Sequence, residues 1–92
     1  MTAKATIVAE IVAKVRDTKY VIWRIGLTHD LAERKKYWSE TEDEIIKYWS
    51  DWEADSLSDA QEIESYFINE NHMKESAGGE LSPHRTVYVY VF

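Results

Sequence analysis

Arg34 is the side chain of this sequence whose position best suits chemistry, because it lies eight residues after Gly26 at the junction of two expected elements. Residues 20–27 are rich in aromatic and β-branched side chains, which is typical of a strand whose glycine permits a turn or a close approach. Asp30 follows, and its carboxylate can cap the first amides of a helix that carries Arg34. A strand, a glycine and a capped helix in this order can hold an arginine over a phosphate.

The segment RIGLTHDLAERKKYW at residues 24–38 resembles the core of the GIY-YIG nuclease superfamily. In that superfamily a strand ending in Tyr-Ile-Gly leads through a short polar loop into a helix that carries a catalytic arginine. Arg34 stands at the position of this arginine, and Gly26 stands at the position of the YIG glycine. The resemblance implies a catalytic role for Arg34 and places Arg24, Gly26 and Lys35 beside the substrate.

A second motif extends the resemblance farther along the chain. IESYFI at residues 63–68 is similar to the superfamily's Glu-x-aromatic-aromatic pattern and places Glu64 at the metal-binding glutamate. Cleavage of a phosphodiester requires a cation on the developing negative charge, an activated water and a divalent ion held by a carboxylate. An active enzyme would use Arg34 on the phosphate and Glu64 on Mg²⁺, an ion that keeps several waters and needs few protein ligands.

The sequence departs from the superfamily at the groups that help to activate the nucleophile. The YIG tyrosine is replaced by Arg24, no Gly-Ile-Tyr occurs, and Trp38 stands one turn after the arginine, where the family often has a histidine. An indole cannot accept a proton. Tyr20, Tyr37 and His29 are the remaining candidates for catalytic groups, and His29 lies in the loop where a substrate phosphate would pass.

Simpler roles stay open for the same side chains. Arg34 lies four residues after Asp30, and a surface ion pair between them would contribute about 0.3–0.5 kcal/mol. Glu64 is one of many glutamates on the expected helices. Gly26 serves backbone geometry whether or not a substrate binds beside it.

Hydrophobic periodicity predicts the helices that must position these residues. Apolar side chains recur at helical spacing over residues 5–16, although their β-branched character leaves a strand open as the alternative. The second helix starts at Asp30. The third covers residues 59–71, with Ser58 and Gln61 as its capping box.

The strands alternate with these helices. After the strand at residues 20–27 and an acidic loop at residues 40–44, a second strand is expected over residues 45–55, where a helical turn is the alternative. A loop with two glycines and a proline occupies residues 74–85. Residues 86–92 alternate valine with aromatic side chains, which indicates a strand covered on both faces near the middle of the sheet.

Taken together, these elements predict a small α/β (α+β) domain over residues 1–92. The expected sheet has three mostly antiparallel strands with helices packed against it, similar to a GIY-YIG domain with an added N-terminal helix. A chain of 92 residues has room for a single core.

Composition limits the function classes. The absence of cysteine excludes disulfides, thiolate catalysis and zinc-thiolate sites. A formal charge of -6 opposes sequence-independent attraction to nucleic acid, so such a surface would have to be a local basic patch in the first half of the chain. No apolar run reaches the length of a membrane span and no secretory leader is recognisable, which predicts a cytoplasmic protein with no membrane partner.

Four tryptophans, at positions 23, 38, 49 and 52, are expected to pack in the core, and any exposed indoles among acidic residues would suit a protein partner. Three functions remain. The leading one is a nuclease-like module that has lost much of its catalytic set and binds DNA, RNA or a protein. The alternatives are an active Mg²⁺-dependent endonuclease and a protein-binding adaptor.

Overall fold

A computed structural model of the protein describes residues 2–41, 48–76 and 81–92. The elements follow one another as α1 (Lys4–Val15), β1 (Arg24–Thr28), α2 (Leu31–Thr41), β2 (Ser50–Glu53), α3 (Leu57–Ser65), β3 (Lys74–Glu75) and β4 (Tyr88–Val91). A 3₁₀ turn at Tyr20–Ile22 precedes β1, and a π-helical turn at Tyr66–Glu70 continues α3. The predicted mixture of helices and strands and the predicted N-terminal helix are confirmed.

The strands form one sheet in the order β2-β4-β1-β3. Strand β4 is antiparallel to both of its neighbours, whereas β1 and β3 are parallel. Among the described residues the sheet therefore has four strands, and the predicted count of three was wrong. The additional strand, β3, lies within the predicted loop at residues 74–85. Two residues are too short to show an alternating pattern, and β3 is defined only by its long-range pairing with β1.

Strand β4 lies between β1 and β2 and separates two cores. Val89 and Val91 point to one face of the sheet, and Tyr90 and Phe92 pack on the other. All four side chains are buried. The prediction of a central strand covered on both sides is confirmed, since successive side chains of a strand alternate between its faces.

The face of Val89 and Val91 is covered by two helices, α1 and α3, and we call it the aliphatic face. Ile7, Ile11 and Val15 of α1 are fully buried at a spacing of four residues, which explains why this β-branched segment is helical. Helix α3 adds Ile63, and its π-helical turn adds Phe67.

The opposite face, which we call the aromatic face, is covered by α2. Its buried side chains are Trp38, Tyr90 and Phe92, and Leu31 and Trp49 pack against them partly buried. No helix in the described part of the chain is both long and apolar enough to cross a membrane.

The element boundaries differ from the predicted ones at two strands. Residues 20–22 form the 3₁₀ turn rather than the start of β1, and Val21 and Ile22 are exposed, 49% and 64%. Strand β2 covers the second half of the predicted strand at residues 45–55. Residues 42–47, which include most of the predicted acidic loop, lie outside the described residues.

Helix α3 begins two residues before its predicted start. Ser56 rather than Ser58 is the N-cap, and its hydroxyl accepts a hydrogen bond from the Asp59 amide at 3.1 Å. Starting at this residue brings Leu57 into the helix, where it packs against the core. Burial of one leucine side chain outweighs the small difference between two serine caps.

Candidate functional site

The junction between β1 and α2 is held by side-chain hydrogen bonds. The Asp30 carboxylate accepts from the Glu33 amide at 3.1 Å, which confirms the predicted cap. The Asp30 amide itself donates to the Thr28 hydroxyl at 3.0 Å. These contacts fix the direction in which α2 leaves the sheet, and with it the position of Arg34.

Arg34 lies one turn into α2 with only 17% of its side chain exposed. Its Nε is 3.6 Å from the Glu33 carboxylate, and its guanidinium carbon is 5.4 Å from the centre of the Tyr37 ring. One oxygen of the Asp30 carboxylate serves the cap of the same helix. The Arg34 guanidinium is therefore held between a carboxylate and an aromatic ring.

A cleft of about 270 Å³ opens beside Arg34. Its walls come from the end of β1, the start of α2 and the segment before β4, and its lining residues are Leu27, Thr28, His29, Asp30, Glu33, Arg34, Leu81 and Arg85. Two arginines and a histidine face two carboxylates there. The cleft is thus polar, with its positive groups contributed by two separate parts of the chain.

His29 joins those two parts. Its Nδ1 lies 2.8 Å from the Thr86 carbonyl oxygen, and its Nε2 accepts from the Ser82 amide at 2.8 Å. A carbonyl only accepts and an amide only donates, so the imidazole is the neutral tautomer with its proton on Nδ1. With both ring nitrogens bonded to backbone, His29 holds the segment of Arg85 against the cleft, and acting as a base would require breaking the Ser82 bond.

Gly26 is buried beneath the ring of Tyr90. A Cβ at residue 26 would lie 2.5 Å from the Tyr90 Oη and 2.9 Å from the Ser76 Cβ. The Tyr90 hydroxyl crosses β1 at this point to share a hydrogen bond of 2.6 Å with the Ser76 hydroxyl. The close approach expected at Gly26 is therefore that of a buried aromatic ring, which only glycine accommodates.

Arg24 and Lys35 lie on the same face of the sheet as Arg34, each beside an indole. The Arg24 guanidinium carbon is 5.0 Å from the centre of the Trp38 ring, and the Lys35 Nζ is 5.9 Å from that of Trp49. These distances are typical of cation–π contacts. Within the described ranges, the buried Trp38 Nε1 has no hydrogen-bond partner.

The two candidate tyrosines lie in different cores. Tyr20 stacks on Phe67 at 6.0 Å and belongs to the aliphatic face, away from Arg34. Tyr37 is 47% exposed and contacts Arg34 directly. The structure therefore brings Tyr37 and His29 to the α2 side of the sheet with Arg34, and it places Tyr20 elsewhere.

Glu64 lies on α3, half-buried on the aliphatic side of the sheet. Burial and, to a smaller extent, the nearby Glu75 carboxylate together raise the pKa of its carboxyl to about 7. Helices α2 and α3 cover opposite faces, so Glu64 and Arg34 do not share a groove. A Mg²⁺ ion bound by Glu64 would therefore be too far away to contact a phosphate bound by Arg34.

The tryptophans all take part in packing. Trp23 and Trp38 are buried, and Trp52 is half-buried against the aliphatic core. Trp49 is also half-buried, stacks on Tyr90 at 4.7 Å and donates its indole N–H to Asp51 at 2.9 Å. Asp51, an acidic neighbour of Trp49, therefore holds the indole in place.

Comparisons of the chain with protein families, with curated proteins and with solved structures found no match in any of the three. Across residues 2–41, 48–76 and 81–92, no group of three or more histidine, aspartate or glutamate side chains is arranged to hold a metal ion.

Sequence reasoning did not find Arg85 or Tyr90. Arg85 lies in the cleft because His29 is hydrogen-bonded to backbone atoms of the segment that carries it. Hydrogen bonds to backbone atoms leave no pattern of side chains in the sequence. Tyr90 was recognised only as one of the aromatic side chains of β4. The glycine directly opposite it in β1 is the signal that pairs them, and reading it requires the strand register.

Proposed function

We propose that this protein is a cytoplasmic nucleic-acid-binding module of the GIY-YIG-like type that has lost much of the catalytic set. The observation that carries the proposal is the presence of Arg34 and Arg85 in the walls of one cleft. A guanidinium group binds phosphate through its charge and several fixed donors. Arg24 and Lys35 add positive charge on the same face of the sheet.

Binding without cleavage is favoured by the positions of the expected catalytic groups. Arg34 and Glu64 lie on helices that cover opposite faces, and both nitrogens of His29 are bonded to backbone. An active Mg²⁺-dependent endonuclease would need these groups around one phosphate. The adaptor alternative has less support as well, because each of the four indoles packs in one of the two cores.

The charge of the chain sets the expected strength of binding. The net charge is -6, and Asp30 and Glu33 line the cleft beside the arginines. Both features oppose a polyanion, so the affinity is expected to be low and to depend steeply on salt.

Binding of short fluorescent DNA and RNA strands, measured by anisotropy over a salt series, tests the proposal. Arg34→Ala and Arg85→Ala should each weaken binding and reduce the salt slope by about 1, the loss of one phosphate contact. Arg16→Ala, an exposed arginine just after α1, is the matched control and should change neither. Absence of binding at low salt, or binding unchanged by Arg34→Ala, would rule out the proposed binding of nucleic acid.

A cleavage assay separates binding from catalysis. Supercoiled plasmid incubated with the protein and Mg²⁺ or Mn²⁺ should remain intact. Nicking that is lost in both Arg34→Ala and Glu64→Ala would support the endonuclease alternative instead. Nicking that survives both substitutions would come from a contaminant.

A further inference from the structure

Three tyrosines in the described part of the chain are exposed, and their surroundings differ. Tyr66, 44% exposed, lines a shallow cleft together with Glu62 and Glu70. Tyr48, 63% exposed, contacts the edge of Trp23. Tyr37 has the Arg34 guanidinium beside its ring and is therefore the exposed tyrosine placed next to the phosphate-binding cleft.

The Tyr37 ring packs against a buried ring. It meets the buried Trp38 ring edge-on, with 5.2 Å between ring centres and an interplanar angle of 82°. Arg34 lies three positions earlier on the same helix, so the two side chains are neighbours on its surface. An exposed aromatic ring thus lies one helical turn from a guanidinium group.

We infer that Tyr37 stacks against an unpaired base of single-stranded nucleic acid whose phosphate is bound by Arg34. This inference rests on the proposed function and names its substrate class. The face of a base is accessible to a protein ring only when the base is outside a duplex, and stacking tolerates any base. The base and the phosphate of one nucleotide are joined through a single sugar. Their short separation matches that of a ring and a cation placed one helical turn apart on the same helix.

The other aromatic side chains that the structure describes lack either an accessible ring or a neighbouring cation. Tyr66 stands among carboxylates, which repel a phosphate. Trp49 has Lys35 beside its ring, but it is half-buried against Tyr90 and Phe92, so less of the ring is accessible than at Tyr37. Tyr37 combines exposure with a neighbouring cation, and Lys36, also exposed, precedes it on α2.

Anisotropy measurements with three probes of equal length at low salt test the inference. The probes are an oligothymidylate, an abasic strand with the same phosphates, and a duplex. The protein should bind oligothymidylate about tenfold tighter than the abasic strand, the effect of stacking one or two bases. Tyr37→Ala should remove this preference, and Tyr37→Phe, which keeps the ring beside Arg34, should retain it.

Tyr66→Ala is the matched control and should leave the preference intact, and far-UV circular dichroism of each variant verifies that it is folded. Equal affinity of the wild-type protein for oligothymidylate and abasic strand would overturn the inference while leaving the proposed function in place. A preference that survives Tyr37→Ala, or tighter binding of the duplex, would also overturn it. If no probe binds, the proposed function fails together with the inference.

Discussion

The two faces of the sheet are built from the same strands but differ in chemistry. The aliphatic face buries isoleucine, valine and leucine side chains beneath two helices, α1 and α3. The aromatic face buries Trp38, Tyr90 and Phe92 beneath α2, with Arg24 and Lys35 placed against indole rings. Most of the buried side chains lie on the first face, and the groups suited to binding lie on the second.

Among the described elements, one helix covers the aromatic face and two cover the aliphatic face. A single helix covers less of the sheet than two, so large rings are needed to exclude water from the aromatic face, since each aromatic side chain buries roughly 150–250 Å². Rings also accept cations over their faces. A face covered in this way keeps positive groups close to its surface, where a ligand can reach them.

Large-to-small substitutions provide the largest test of this comparison. Phe67 is fully buried on the aliphatic face. Phe67→Ala should lower the free energy of unfolding by about 3–5 kcal/mol, because the surrounding helices cannot collapse into the cavity. Phe92→Ala should cost less, because its neighbour Trp49 is only half-buried and can move into the space. Urea denaturation gives both free energies of unfolding. Equal losses would show that the two cores are equally rigid.

Gly26→Ala tests the packing beneath the aromatic face. The added methyl would overlap the Tyr90 ring and the Ser76 side chain, and forcing it into this space should cost about 1–3 kcal/mol. The measurement is the free energy of unfolding in urea. An unchanged value would mean that the Tyr90 ring does not need to lie over β1.

A double-mutant cycle identifies the cause of that loss. Tyr90→Val is destabilising by itself, but it removes the ring and the hydroxyl that clash with the new methyl. Adding Gly26→Ala to Tyr90→Val should therefore cost much less than adding it to the wild-type protein. Additive effects would indicate that the glycine is required for another reason.

His29→Ala tests whether the His29 side chain, which follows β1, holds the segment that carries Arg85. Two hydrogen bonds are lost, and we expect a loss of stability of about 1–2 kcal/mol. Hydrogen exchange at the Ser82 amide should become faster. His84→Ala, in the same segment and exposed, is the control. Unchanged exchange at Ser82 would contradict the role given to His29.

The elements could be predicted from the sequence wherever a local pattern encodes them. The periodic burial of α1, the Asp30 cap and the alternation in β4 are of this kind. Strand β3 and the pairing of Tyr90 with Gly26 could not be predicted, because they depend on register between distant segments.

The candidate site divides in the same way. Arg34 and Tyr37 are three residues apart on a helix, so the sequence already places them together. Whether Glu64 joins them depends on which face of the sheet each helix covers. That choice is made by tertiary packing, and the short motif around Glu64 carries no information about it.

Glu64→Gln is expected to change stability least. It tests the half-buried Glu64 carboxyl on the aliphatic side of the sheet. Below the unfolded-state pKa of 4.5 the carboxyl is protonated in both states and contributes nothing. Between 4.5 and about 7 it ionises only in the unfolded chain, so unfolding releases a proton and stability falls as the pH rises. Above that range the penalty is constant, on the order of 1 kcal/mol once solvent screening of this half-buried group is considered.

Glu64→Gln should therefore stabilise the protein at alkaline pH and leave its stability in acid unchanged, as measured by urea midpoints on both sides of the window. Burial is the larger cause of the raised pKa and Glu75 the smaller, so Glu75→Gln should recover only part of the gain. Glu70→Gln, exposed on the turn that continues α3, is the control. A change of equal size at both pH values would mean that the glutamine alters packing and that the Glu64 charge does not oppose folding.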